Sequence, residues 1–334
     1  MSKLICVLLL IACSAVTAFA EDMAITPFRS VNQSPLAQIH GLPFETGADI
    51  AGPGQFVIGL AHDLSSNYTV SSNSREDIVL DGETYRTTLS ARYGFKSRWE
   101  VGVELPYVIQ GGGFLDSFII DWHSAFGLPQ GGRESAPKDR IGYRYRKDGV
   151  QKLKMDHAGS GIGDMSLTAG FGLHDSRDER SQERLAVKAA LKLPTGDSSS
   201  LRGSGGTDFL LQLCGSTTRY YGWGSLGLFG SIGGLVMSDG DVLSGQRNNL
   251  AGTGTVGIGW GPSSWISFKF QLNGNTPLYR GSSLDELSGS SLVLVSGGAV
   301  RLPMGYQLDI GVSEDVAVAT ASDVSFHLGL SKSF

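Results

Sequence analysis

The chain has 334 residues, a formal charge of −5, and 47 glycines against 11 prolines. The small negative charge gives no reason to expect a nucleic-acid partner. After residue 20 no stretch reaches the roughly 20 uninterrupted apolar residues of a membrane helix, so any membrane crossing must be made by strands; abundant glycine with scarce proline fits many short strands and tight turns.

Residues 1–20 read as a secretory signal peptide: Lys3 gives a basic start, residues 4–16 are an apolar run, and Ala18-Phe19-Ala20 is a small-x-small cleavage site. Leu10-Ile11-Ala12-Cys13 also resembles a lipobox, which would lipidate Cys13, but the apolar run continues past that cysteine and the later site is better placed. Cys6 and Cys13 fall in the leader, so Cys214 is the sole mature cysteine and no internal disulfide is expected. Residues 21–54 are too irregular for a strand. They carry Phe28, Leu36, Ile39, Leu42 and Phe44, which need cover from water, so the segment is expected at the periplasmic mouth or inside the lumen of the barrel that residues 55–334 would form.

From residue 55 onward, period-two alternation predicts about twelve strands, each near the length of a tilted membrane strand. The first covers residues 55–64. The clearest pair follows: Tyr85, Thr87, Leu89, Ala91, Tyr93 and Phe95 share a face opposite Arg86, Thr88, Ser90 and Arg92, and Trp99, Val101, Val103, Leu105 and Tyr107 alternate with Glu100, Gly102, Glu104 and Pro106. All the charges fall on one face, while the apolar face ends in tyrosine and tryptophan, as a lipid belt does. Matching those faces requires Phe95 opposite Trp99 and Tyr93 opposite Val101, which sets Arg92 opposite Gly102 and diagonal to both Glu100 and Glu104. The same alternation recurs at Asp164–Leu173, at Leu185–Leu193 with Lys188 and Lys192 on the polar face, at Ile266–Leu272 with Lys269, and near residues 304–312 with Asp309. Weaker, glycine-rich strands are expected near 208–218, 223–236 and 250–260, and a further strand near 291–301.

The connections alternate in length. Residues 96–98, 217–222, 261–263 and 301–303 are brief and 174–182 is an intermediate polar turn, whereas 65–83, 110–160, 194–206, 237–247 and 274–290 are long and polar. Bacterial barrels have this pattern, with short periplasmic turns, longer external loops and both termini in the periplasm. Within the largest loop, Phe114, Leu115, Phe118, Ile119, Trp122 and Phe126 are spaced as one face of a helix, and residues 141–155 suit a hairpin turning at Lys147-Asp148-Gly149. The last strand alternates Phe326, Leu328 and Leu330 and closes on Phe334, the greasy aromatic ending expected of an outer-membrane assembly signal; Lys332 departs from it and is expected to snorkel.

Two groups of residues carry a family resemblance. Residues 26–36, Thr-Pro-Phe-Arg-Ser-Val-Asn-Gln-Ser-Pro-Leu, with Trp122-His123-Ser124-Ala125-Phe126-Gly127-Leu128-Pro129, resemble an uncharacterised Gram-negative outer-membrane family known as a domain of unknown function. Gly161-Ile162-Gly163-Asp164 and Lys192-Leu193-Pro194-Thr195-Gly196-Asp197 are similar to a broader group of barrels from a phenol-degradation pathway, related to fatty-acid-transporter-like channels. The resemblance implies a pore or uptake role and brings no functional residues to carry over.

Arg86, Arg92, Glu100, Glu104, Asp164, Lys188, Lys192, Lys269 and Asp309 are expected to face the lumen. They form either a charged pore lining that selects solutes or a set of mutually neutralising pairs filling a narrow barrel. The basic stretch Lys138, Arg140, Arg144, Arg146, Lys147, Lys152 and Lys154 fits either an external hairpin holding lipopolysaccharide phosphates or an ordinary solvated loop, because Asp139, Asp148 and Asp156 partly neutralise it. Catalytic signals are poor. His123 and Ser124 diverge on a helix by about 100°, and only Ser325 and His327 share an inner face; no His/Cys spacing suits zinc and Asp239-Gly240-Asp241 is too short for a calcium loop.

The sequence therefore predicts an all-β, transmembrane antiparallel barrel of about 12 strands with a long, partly helical external loop. It is expected to be a monomer in the Gram-negative outer membrane and not an enzyme. No cofactor is expected, and the partners would be membrane lipid, with lipopolysaccharide as a candidate, the barrel-assembly machinery and an unidentified small solute. The expected role is a channel or uptake protein for small solutes, apolar ones included; the alternatives are a closed structural barrel acting through its external loops and, remotely, a lipid-modifying enzyme.

Overall fold

The computed structural model describes residues 24–126, 136–317 and 320–334. The leader with Cys13, and Gly127-Leu128-Pro129, lie outside the described residues. The elements are β1 (Phe56–Ser72), β2 (Glu76–Lys96), β3 (Trp99–Gly111), α1 (Leu115–Phe126), β4 (Gly142–Lys147), β5 (Val150–Met155), β6 (Gly159–Ile162), β7 (Ser166–Arg177), β8 (Ser181–Lys192), β9 (Asp208–Tyr221), β10 (Gly224–Met237), β11 (Leu250–Ser263), β12 (Ile266–Asn275), α2 (Asp285–Ser288), β13 (Ser291–Arg301), β14 (Tyr306–Ala317) and β15 (Val324–Ser333).

Each strand of the wall pairs antiparallel with its neighbours, and β1 pairs with β15, Leu60 opposite Leu330, so the sheet closes on itself. The wall has twelve staves, because β6 and β7 together make one. Phe56, Ile58 and Leu60 of β1, Leu328 and Leu330 of β15, and Phe268 and Phe270 of β12 point outward and are exposed, while the alternate residues turn inward. That is the lipid face and polar interior of a transmembrane barrel.

The β6/β7 stave is broken at Gly163-Asp164-Met165, where the sequence reads as continuous strand. Pro106 of β3 lies against the gap: its carbonyl accepts the Gly163 N–H at 2.8 Å, but it has no N–H to return. The β2–β3 register follows the sequence at Ala91–Val103, Arg92–Gly102 and Tyr93–Val101, then slips through a bulge, so Trp99 faces Lys96 instead of the expected Phe95.

Residues 65–83, expected as a loop, are mostly strand. β1 and β2 run on past the wall, and β4 adds to β2 with Ile78 opposite Tyr145 and Leu80 opposite Tyr143. Polar residues dominate both faces of this extension of β1, which hides its period. The hairpin β4–β5 turns through Asp148 and Gly149, both at positive φ. Ile78, Leu80, Tyr143 and Tyr145 are buried against Leu201, Leu243, Leu278 and Leu284 from the long connections, Met237 at the end of β10, and Leu36, Ile39 and Leu42. This apolar cluster roofs the long-connection end of the barrel.

Candidate functional site

The lumen is occupied by residues 24–54. Ile25, Phe28, Leu36, Ile39, Phe44, Ala48 and Ala51 are all buried; the segment hydrogen-bonds to inward residues of β2, β3, β8, β9 and β12, and the Phe28 ring meets that of His327 on β15 edge-on. The segment has no regular ladder of its own, so its peptide groups are met partly by a turn over residues 34–40 and partly by wall side chains, as buried backbone requires.

Near the short-turn end, Arg92 donates to Glu100 at 3.2 Å, to the Asp49 carboxylate at 2.9 Å and to the Asp49 carbonyl at 3.2 Å. Arg29 pairs with Glu45 at 2.6 Å, Lys188 lies 3.4 Å from Glu100, and the Ala51 N–H donates to Glu100 at 2.8 Å. Three cations thus face three carboxylates, two of which belong to the N-terminal segment. Neutralised, hydrogen-bonded charge is the condition for burying such groups; Arg92 and Arg29 meet it in full, whereas Lys188 Nζ has its ion pair without a hydrogen bond.

Further along, Lys192 donates to Asp164 at 2.5 Å, to Ser204 at 2.6 Å and to the carbonyls of Gly206 and Ile39 at 2.9 and 3.1 Å. Asp164 sits in the broken stave and also accepts the N–H groups of Gly196 and Ser204, tying the 193–207 connection over the gap. Asp208 takes the Gly41 N–H at 2.8 Å and Arg247 at 2.7 Å. Arg247 also lies 2.9 Å from His40 Nδ1, and His40 Nε2 lies 2.9 Å from the Tyr279 hydroxyl, which donates to the Leu36 carbonyl. Since a guanidinium only donates, this chain fixes a neutral His40 with its proton on Nε2.

Toward the start of the segment, Lys269 donates to Asp309 and to the Thr26 carbonyl, with its ammonium 4.0 Å from the Phe28 ring centre. Gln271 accepts the Phe28 N–H at 2.8 Å. Arg86 donates to the Gln38 carbonyl at 2.9 Å, and Glu104 lines a cavity of about 30 Å³ beside Arg92 and Glu45, space for a water or two. The expected lumen residues therefore do come to one interior, but Arg92, Glu100, Asp164, Lys188, Lys192 and Lys269 are buried against the N-terminal segment and one another instead of lining an open passage.

Ser325 and His327 are not brought together: Ser325 bonds Ser322 at 2.7 Å, whereas His327 pairs with Asp63 at 2.7 Å. Among the described residues no group of His, Cys, Asp or Glu could hold a metal ion. Sequence reasoning missed Glu45, Asp49, Asp63, Asp208 and Arg247. Asp63 and Asp208 left a signal: Asp63 falls in the predicted first strand opposite in parity to Phe56, Ile58 and Leu60, and Asp208 shares the parity of buried Leu210 and Gln212 on β9.

A family profile described as "Protein of unknown function (DUF3187)" matches residues 3–334. The chain belongs to this family. No curated protein matches it. Among solved structures it is similar to the COG4313 outer membrane channel from Pseudomonas putida F1, at 12% identity and a TM-score of 0.54, over 86% of this chain and 98% of that one. The NanC porin aligns at 8% identity and a TM-score of 0.41, over 82% and 98% of the two chains. The toluene transporter TodX of P. putida aligns at 9% identity and a TM-score of 0.31, over 88% and 92%. The first likeness establishes the outer-membrane barrel fold; the other two add nothing to it.

Proposed function

We propose that the protein is an outer-membrane channel held shut by its own N-terminal segment, which passes small solutes when that segment shifts. The observation that carries this reading is the way residues 24–54 are held. Apolar residues of the segment pack on the wall and roof, Phe28 with Val293 and Val295 and Ala48 with Ala186 and Cys214, but the inward charges Arg92, Glu100, Lys192, Asp208 and Lys269 are met by its ionic and polar groups, so the lumen beneath the roof keeps a charged lining to be wetted once the segment leaves. A barrel meant only as a closed scaffold has no need of a separate strip of backbone to satisfy that lining. The channel named among its structural likenesses agrees with this reading, and apolar solutes remain within its range. Export by residues 1–20, insertion by the assembly machinery from the terminal strand, and a monomeric state belong to the same proposal.

A second reading has one observation of its own: the apolar roof, which would suit a closed barrel working through its outer surface. Planar-bilayer conductance separates the two. The mature protein should be silent or open briefly, and a variant lacking residues 25–50 should conduct steadily. If that variant inserts as a folded barrel yet remains silent, the channel reading fails.

A further inference from the structure

We propose that α1 is an interfacial helix that lies flat on the outer wall of the barrel and contacts outer-leaflet lipid through Phe114 and Phe118. Leu115 and Ile119 of α1 are buried with Val324 and pack on Leu64, Val312 and Phe326, and the Phe118 and Phe326 rings meet edge-on with centres 6.0 Å apart. Leu64 continues the outward row of Phe56, Ile58 and Leu60 on β1; Phe326 belongs to the outward row of Leu328 and Leu330 on β15. α1 is therefore on the lipid side of the wall, across the seam where the first and last strands close the barrel.

The height of the helix follows from register. Leu64 is opposite Phe326, and Phe326 is opposite Val312. One step nearer the short turns, Leu328 and Ile310 are each 48% exposed in the apolar belt. A membrane strand needs about 9–11 residues, and Leu64 is the ninth of β1. The helix thus sits at the edge of the hydrocarbon, where amphipathic helices lie in the plane of the interface.

Anchoring agrees. The Glu83 carboxylate, on the outward face of β2, accepts the N–H groups of Phe114 and Leu115 at the start of the helix, where negative charge is favourable. At about 100° per residue, Phe118 and Ala125 fall within an arc of about 20° flanking the wall-facing side, while Ser117 and Ser124 lie further round; Phe114 immediately precedes the first turn. Phe114 and Phe118 are 64% and 47% exposed, and Lys138 donates to Ser117 at 3.2 Å on the polar side. The exposed aromatic flank is continuous with the lipid belt, which makes acyl chains its occupant.

Nitroxide labels at Phe114→Cys and Phe118→Cys, each with Cys214→Ala in the full mature barrel reconstituted in liposomes, test the placement. Labels at Leu328→Cys and Lys152→Cys serve as lipid and water references. The ratio of oxygen to nickel-chelate accessibility at 114 and 118 should match 328 and exceed 152 several-fold. Ratios matching 152 at both positions would overturn the proposal. The 114 label decides the matter if a label at 118 disturbs packing on Phe326.

Discussion

Arg92 on β2 reaches Glu100 on β3 at 3.2 Å, stretching over Gly102, its cross-strand partner. The register in the sequence offered it Glu100 or Glu104. Glu100 is chosen where Asp49 and Glu45 of the N-terminal segment close on the same guanidinium from the other side. The pair is dry as well, with side chains 9% and 4% exposed, so the contribution of 1 kcal/mol or less typical of a wet pair does not apply. Arg92→Met should strand the surplus carboxylates and destabilise the seated segment by about 3–5 kcal/mol. Arg92→Lys, which keeps the charge but loses the fork, should fall between. Trypsin cleavage after Arg29 in the folded barrel reads the effect; equal rates in wild type and Arg92→Met would remove this site from the latch.

His40 makes seating pH-dependent. Burial is the main cause that lowers its pKa from 6.5 to about 4; Asp208 pulls the other way, and Arg247 and Lys192 push it further down. A depressed pKa means the stabilisation is fully present above 6.5 and is lost as pH falls through the folded value, up to about 3 kcal/mol. Protonation would place a second cation against Arg247. Channel openings should therefore increase between pH 6.5 and 4, and His40→Gln should flatten that response. A response of full size in His40→Gln would assign it elsewhere.

The wall was legible because lipid on one side and a polar interior on the other impose strict alternation, and the segments with that alternation became strands, apart from the break at residues 163–165 and the turn at 303–305. Residues 65–83 were not: in 65–72 polar residues dominate both faces, and in the return strand the apolar run Ile78-Val79-Leu80 falls on both faces, so neither stretch shows the period. The lumen charges were legible as inward-facing but not as a latch. Their partners Glu45 and Asp49 lie in a segment whose path is set by wall side chains rather than by any period of its own. The helical spacing in the large loop marked α1, but only the contacts with Leu64 and Phe326 reveal that it docks outside the barrel.

The lysine that departs from the terminal pattern has a partner the sequence did not disclose. Lys332 places its ammonium 4.7 Å from the Tyr306 ring centre and 4.6 Å from that of Phe334, an aromatic cradle for a cation at the membrane edge. Phe334 itself exchanges backbone hydrogen bonds with Phe56 at 2.8 and 3.2 Å, closing the seam, and its ring is outward and 63% exposed. Phe334→Ala keeps those backbone bonds. It should lower the amount of protein reaching the outer membrane far more than the melting temperature of the fraction that assembles. Normal levels with normal heat-modifiable migration would show that the terminal ring is not the assembly signal.

Gly94 marks the place where the N-terminal segment leaves the lumen and turns into β1. Its carbonyl accepts the Gly54 N–H at 2.6 Å and its N–H donates to Gln55 at 3.0 Å, while a side chain there would meet the carbonyl oxygens of Gly52 and Ala51 at 2.1 and 2.2 Å. Those are backbone atoms, so they can yield only if the whole strip moves away from the wall. The strip includes the Ala51 N–H on Glu100, two residues from Asp49, so displacement at Gly94 carries to the Arg92 cluster. Gly94→Ala should therefore leave the barrel assembled yet raise both trypsin cleavage at Arg29 and steady conductance. Gly222→Ala, in a turn at the same end with open space around it, should change neither. If the two variants behave alike, close packing at the exit does not keep the channel shut.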